Sequence, residues 1–425
     1  MDIHVVQPGD SMYQLAQQYG VPMERLIQDN QLPDPSRLVV GQTIVVQYPE
    51  LTHTVRAGDS LYSIAQMHNT TVAQLLRNNP ALQGRDLLYP GQTIVVKYAS
   101  RPLGTLTVNS YAYPTIDRNL LRATLPYLSL LTPFTYRFDE EELIPLRDEA
   151  LVNAALQSRV APVLHLSNLD ENERFSGDLA HELLEDEDDQ KELIEEIVRT
   201  AERRGYQWVD VDFEYLRAED ARPYARFLAR LRRALTPGGR PLIAALAPKS
   251  SADQPGRLYE GVDYHLIAQS VDHALLMTYD WGNLSGPPMA VAPLPEVRRV
   301  VEYALTEFTP SQLFLGVPNY GYDWPLPYRQ GGRTRSLNNV EAVRLAWDRR
   351  AAIRYDEQAQ APWFRYVDGQ GGEHEVWFED ARSIQAKVRL ALDYGLYGIG
   401  VWNLDRPFPQ GWTVVNAMAE IRSEM

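Results

Sequence analysis

The chain has 425 residues, 44% hydrophobic and 23% charged, which is long enough for small accessory units beside a domain with a large core. A net charge of -15 argues against phosphate backbones and anionic membrane surfaces as partners and suits a neutral or mixed-charge polymer. With no cysteine, thiolate metal sites, cysteine nucleophiles and disulfides are excluded. No run of about 18 apolar residues is present, so no membrane insertion is expected. The amino end, MDIHVVQPGD, shows neither the basic nor the apolar region of a Sec signal.

A repeat opens the chain. The stretch from His4 to Tyr13, with Gln7-Pro8-Gly9-Asp10-Ser11 at its centre, returns from His53 to Tyr62 around Ala57-Gly58-Asp59-Ser60. Asn30 and Asn79 keep the same register, and Gly41-Gln42-Thr43-Ile44-Val45-Val46 recurs at Gly91 to Val96 after a one-residue insertion. Each copy reads as strand, helix, helix, strand. Gly-Asp-Ser supplies a turn and a helix N-cap. Tyr13, Ala16 and Tyr19, or Leu61, Ile64 and Ala65, follow at helical spacing, and the closing Thr-Ile-Val-Val run is a β-branched strand. The two units, residues 2–48 and 52–98, resemble LysM modules. That resemblance implies binding to N-acetylglucosamine-containing glycans beside the first strand–helix loop, at Gly9, Asp10 and Ser11 and at Gly58, Asp59 and Ser60. The same Gly-Asp-Ser would also serve as a plain helix cap.

From residue 103 to 425 strands alternate with amphipathic helices such as 190–203 and 221–235. Candidate strands are 106–113, 128–136, 160–168, 207–215, 241–248, 272–280, 313–320 and 397–404. Eight strands with helical crossovers predict an α/β fold of the closed (β/α)8 TIM-barrel type. A stretch at about 325–380 exceeds a normal crossover and reads as a small α+β insertion before the last strand, with a helix from Val340 to Arg349. Its Trp363, Phe364, Tyr366 and Trp377 would wall a groove or form a small core of their own. The junction near Ala99 to Pro102 is short, which implies a restricted arrangement of repeats and barrel.

The run Val209-Asp210-Val211-Asp212-Phe213-Glu214-Tyr215 carries the chemistry. Alternate side chains on a strand share a face, so Val209, Val211 and Phe213 point towards the helices and Asp210, Asp212 and Glu214 into the barrel. Three interior carboxylates are costly as plain structure. At close range they share protons and push their pKa values apart, as acid–base chemistry requires.

The run resembles the Asp-x-Asp-x-Glu motif of glycoside hydrolase family 18, although Gln207 and Trp208 stand where the wider signature has Asp and Gly. Met277-Thr278-Tyr279-Asp280, Val317-Pro318-Asn319-Tyr320 and Trp402 match the family's later strand ends. The resemblance implies a retaining hydrolase in which the substrate's acetamido group is the nucleophile. Glu214 would be the acid, Asp212 the orienter of the acetamido N–H, and Asp210 its proton-sharing partner. Tyr279 would bond the acetamido oxygen, with Asp280, Met277, Asn319 and Tyr320 near the sugar and Trp402 beneath its ring.

Barrels of this family behind LysM pairs resemble spore germination enzymes. The expected activity is N-acetylglucosaminidase action on spore cortex peptidoglycan, in or near the spore coat, cortex or cell wall. Chitin hydrolysis is the alternative, and a non-cutting lectin a further one. No cofactor and no metal are expected, since His165, His181, His265, His273 and His374 show no ligand spacing and read as structural or surface residues. No nucleic-acid partner is expected.

Overall fold

The computed structural model describes residues 1–139 and 142–425. Each amino-terminal repeat is a two-stranded antiparallel sheet bridged by two short helices. Strand Asp2–Val5 pairs with Thr43–Val46, and Pro49–Thr54 pairs with Thr93–Tyr98. The conserved-in-register asparagines hold these small units together from inside. Asn30 donates to the Leu26 and Val45 carbonyls and accepts from Val45 N, and Asn79 repeats the pattern with Leu75 and Val95. The first helix of each repeat buries Met12, Leu15 and Ala16, or Leu61, Ile64 and Ala65. Tyr13, expected on the helical inner face, is 65% exposed, as is its counterpart Tyr62 at 66%. The buried stripe is set one residue earlier.

The barrel closes from eight parallel strands: β1 (Gly104–Ala112), β2 (Leu130–Pro133), β3 (Ala161–Ser167), β4 (Trp208–Asp212), β5 (Leu242–Leu246), β6 (His273–Leu276), β7 (Leu313–Pro318) and β8 (Gly398–Trp402). Each pairs with the next, and β8 returns to β1. A ninth strand, Ala419–Ile421, adds alongside the start of β1. The lower interior is filled by Leu130, Val163, Trp208, Ile243, Leu275 and Phe314. The outer faces of the strands carry a separate apolar layer against the helices, in which Phe213 stacks on Tyr224 and Phe227 of helix Ala221–Leu235. β4 ends at Asp212, short of the expected 215. Phe213 and Glu214 continue its alternation outside the ladder.

The expected insertion lies between β7 and β8 and begins earlier than read from sequence, at Tyr320. Strands Arg335–Asn338, Tyr320–Leu326, Glu373–Trp377, Ala361–Val367 and Arg354–Asp356 form an antiparallel sheet in that order, with helix Asn339–Asp348 against it. Its aromatics divide between two clusters. Phe364 and Tyr366 join a core with Leu337 and Phe378, whereas Trp377 packs near Tyr320, Tyr322 and Trp402 at the barrel mouth.

The first repeat is fastened to the barrel by several unlike contacts. Val39 enters the insertion's core and Val45 the barrel's outer layer. Ile353 N donates to the Val40 carbonyl, and Gln410 bonds Thr43 and Asn30. The second repeat docks through Arg77, which reaches the Pro126 carbonyl and Asn416. No helix among the described residues is long and apolar enough to cross a membrane.

Candidate active site

The strand alternation of β4 delivers Asp210 and Asp212 to the barrel interior. Both are buried, and Glu214 lies half-buried above them. Asp210 Oδ2 accepts a 2.7 Å hydrogen bond from Tyr111 Oη of β1. Burial lifts the Asp210 carboxyl to about 7, partly offset by that bond. Asp212 is pushed well above the usual carboxylate range by burial first, then by the charges of Glu214 and Asp210. Glu214 rises to about 7 through burial and then the Asp280 charge. A carboxylic acid that keeps its proton near neutrality is equipped to give it to a leaving group.

The backbone of Glu214 is gripped from β3's end. Asn168 Nδ2 donates to the Glu214 carbonyl at 2.9 Å and Asn168 Oδ1 accepts from Glu214 N at 3.0 Å. The chain then turns at Tyr215, whose φ of 59° lies in the left-handed region that disfavours bulky residues.

After β6, Met277 packs partly buried beside the interior cluster, and Tyr279 is surrounded by the fields of Asp212, Asp280 and Glu214, with burial the main cause of its raised pKa. Asp280 faces the opening with φ 65°. Its Oδ1 accepts from Tyr320 Oη at 2.8 Å and Tyr322 Oη at 3.0 Å, so the first strand of the insertion orients it. Trp402, half-buried at the end of β8, meets Tyr111 and Phe134 at ring separations of 5.4 and 4.9 Å. It also packs beside Tyr320 and Tyr322, the aromatic pair that bonds Asp280.

Two expectations meet a different environment. Asn319 is 2% exposed, and its amide donates to the Asn403 and Arg406 carbonyls, which makes it a brace beneath the mouth with no surface towards it. His165, read from sequence as an ordinary histidine, lies in the site itself, with Nε2 3.8 Å from Asp210 and 3.7 Å from Asp212. The other histidines lie elsewhere. His181 bonds Asp220, His265 bonds Glu307, His374 bonds Asp323, and His273 packs on Tyr397. Among the described residues no cluster could hold a metal ion.

In the repeats, the residues named for glycan contact have local tasks. Gly9 and Gly58 turn with φ of 93° and 92°. Asp10 accepts from Gln7 N and pairs with His4, and Asp59 accepts from Arg56 N and pairs with His53. Ser11 and Ser60 cap the first helices. The sequence does not point to Tyr111 or Asn168 and marks His165 only as a structural or surface histidine, because they come from other strands and carry no local spacing signal.

The family model described as glycosyl hydrolases family 18 matches residues 173–406, and the LysM domain model matches 4–47 and 53–97. The chain is 40% identical to the cortical fragment-lytic enzyme of Bacillus subtilis over 98% of this chain and 97% of that protein. The crystal structure of the Bacillus megaterium spore cortex-lytic enzyme SleL matches with a TM-score of 0.84 and 33% identity, over 100% of this chain and 99% of that one. A chitinase from Chromobacterium violaceum shares the fold, with a TM-score of 0.69 and 24% identity, over 74% of this chain and 98% of that one. The chain belongs to glycosyl hydrolases family 18 and carries two LysM domains at its amino end.

Proposed function

We propose that this glycosidase cleaves N-acetylglucosaminyl bonds in spore cortex peptidoglycan fragments, with residues 2–48 and 52–98 holding the glycan and residues 103–425 cutting it. The observation that carries the chemistry is the stack of Asp210, Asp212 and Glu214 on one side of β4, with Glu214 nearest the opening and lifted to about 7. Full-length likeness to the cortical fragment-lytic enzyme of Bacillus subtilis supports the substrate class and an association with spore cortex or cell wall.

Glu214 gives its proton to the glycosidic oxygen as the bond to the anomeric carbon breaks. The acetamido carbonyl oxygen of the same sugar bonds to that carbon and forms an oxazolinium. Asp212 turns towards Glu214, orients the acetamido N–H and stabilises its positive charge, while Asp210 retains the negative charge of the pair. Water then opens the ring and returns a proton to Glu214. Tyr279 bonds the acetamido oxygen, Asp280, Tyr320 and Met277 line the sugar, and Trp402 supports its apolar face. Asn319 acts one step away, by holding the loop after β8. At Gly9–Ser11 and Gly58–Ser60 the outward edges of the turns face the glycan, with the side chains of Asp10 and Asp59 shaping them.

The test is product analysis on cortex fragments and on chitin oligomers, with wild type and Glu214→Gln. Release of N-acetylglucosamine-ended cortex products, slowed at least about 10²-fold in Glu214→Gln, is the expected result. Efficient cutting of chitin alone would move the assignment to a chitinase. Tight binding without turnover in both proteins would make it a lectin.

A further inference from the structure

His165 lies on β3 directly across from Asp210 and is 1% exposed. One side of its ring is tied, with Nδ1 2.6 Å from Thr135 Oγ1. The other side has no partner, since Nε2 makes no hydrogen bond and stands 3.8 Å from Asp210 Oδ2 and 3.7 Å from Asp212 Oδ2. Both separations exceed hydrogen-bond range. Asp210 Oδ1 and Asp212 Oδ1 are likewise unpartnered. Orphaned polar atoms in an interior cost about 1–3 kcal/mol each, and one on the ring together with one on each of the two carboxylates it faces marks a place where bonds form in another state of the site.

The surroundings define that state. The imidazole is held between the rings of Tyr111, 5.5 Å away and edge-on, and Phe134, 5.0 Å away, so sliding within the gap is easier than turning out of it. The titratable groups around it are Asp210 and Asp212 on β4, Tyr111 on β1, Glu214 above β4 and Tyr279 beyond β6. Among the described residues no Lys or Arg forms an ion pair with either aspartate. When Asp212 turns towards Glu214 with the shared proton, Asp210 is left as a buried carboxylate with the Tyr111 hydroxyl as its one donor. A second donor has to come from the ring.

We propose that His165 is a positioning residue for the aspartate pair, its neutral Nε2–H closing on Asp210 as Asp212 carries the shared proton to Glu214. The inference rests on the reading of Asp210, Asp212 and Glu214 given above. Burial holds the imidazole's pKa down, to about 3, which keeps the ring neutral through the working range. In the proposed arrangement the one ring hydrogen is on Nε2, facing the carboxylates, so that Nδ1 accepts from Thr135 Oγ1 in place of that hydroxyl's other bond, to the Tyr136 carbonyl at 3.0 Å. The proton count balances, because a single proton moves with Asp212 and none is taken up or lost by the histidine.

Two readouts test this. First, kcat, KM and their pH profiles are measured on a fluorogenic N-acetylglucosamine oligomer for wild type, His165→Gln and His165→Leu, with surface His265→Gln as control. Gln keeps a donor at the Nε2 position and Leu does not. The expected result is a kcat fall of about 10- to 100-fold in His165→Leu with KM within about twofold, partial recovery in His165→Gln, and an acid limb displaced upward only in His165→Leu. The limb moves up because the singly ionised pair loses a donor. Unchanged profiles in both variants, or a His165→Gln profile equal to that of His165→Leu, overturn the proposal. Second, 15N-histidine spectra of the full chain, assigned by difference against His165→Gln, should show His165 neutral and protonated at Nε2 from pH 5 to 8. A ring protonated at Nδ1, or one titrating in that range, overturns it even if the glycan substrate itself proves wrongly chosen. Wild type that turns over no N-acetylglucosamine glycan counts against the proposed function, and the spectra then decide this point alone.

Discussion

Asn168 holds Glu214 by the backbone on both sides at once, its amide nitrogen on the Glu214 carbonyl and its amide oxygen on the Glu214 N–H. The acid follows the last ladder residue of β4, Asp212, where no strand bonds would otherwise fix it. Asn168 is itself buried and also donates to the Ser176 carbonyl. One side chain therefore sets the height at which the acid meets its substrate.

Asn168→Ala should lower stability by about 1–3 kcal/mol, because buried backbone groups lose their partners, and should also reduce kcat on a fluorogenic oligomer. Parallel thermal melts and kinetics check this. Loss of stability with kcat unchanged would mean the clamp has no part in placing Glu214.

Burial raises the Glu214 pKa from an ordinary 4.5 to about 7. The folded protein thus holds this proton more tightly than the unfolded chain, a stabilising effect fully present below about pH 4.5 and lost as pH rises through 7. Activity should fall on the same alkaline side as the acid loses its proton. Glu214→Gln, which has no proton to lose, should match wild type in Tm at pH 4 and exceed it by a few degrees, roughly, at pH 8. Equal melting temperatures at both pH values would show that Glu214 is not held in a charge-averse setting.

Gly41 and Gly91 occupy the same place in the two LysM domains, with φ of 87° and 88°. A methyl group on Gly41 would run into the carbonyl of Ile353 in the barrel insertion, whereas one on Gly91 meets nothing within 4 Å. Both alanine substitutions carry the backbone strain of a positive φ, so their difference isolates the docking contact. Gly41→Ala should loosen the first LysM domain from the barrel, seen as faster proteolysis near the domain junction and a larger radius of gyration. Gly91→Ala should change neither. Matching behaviour of the two variants would show that the Val40–Ile353 contact does not hold the domains together.

The strand that carries the chemistry was legible because a period of two is a local property, and Val209 to Tyr215 displays it without help from elsewhere. The barrel strands were legible for the same reason, as apolar runs between amphipathic stretches. Tyr111, Asn168 and His165 were not, because each reaches the site from another strand through parallel pairing, such as Asp210 opposite His165, which leaves no mark of spacing in the chain. Asn319 misled because its neighbour Tyr320 does reach the site. Along the switch from β7 into the insertion sheet, Tyr320 faces Asp280 while Asn319 faces the carbonyls after β8. Tyr13 misled in a similar way, since helical spacing fixes which residues share a face and leaves open which face is inward.

In the proposed mechanism a bound aminosugar attacks its own anomeric carbon above Asp210, Asp212 and Glu214. Proton NMR of the first product released from cortex fragments, recorded before mutarotation, reads this most directly. Attack by the acetamido group followed by water predicts that the new reducing end appears first as the β anomer, with configuration retained. Initial appearance of the α anomer would contradict the account.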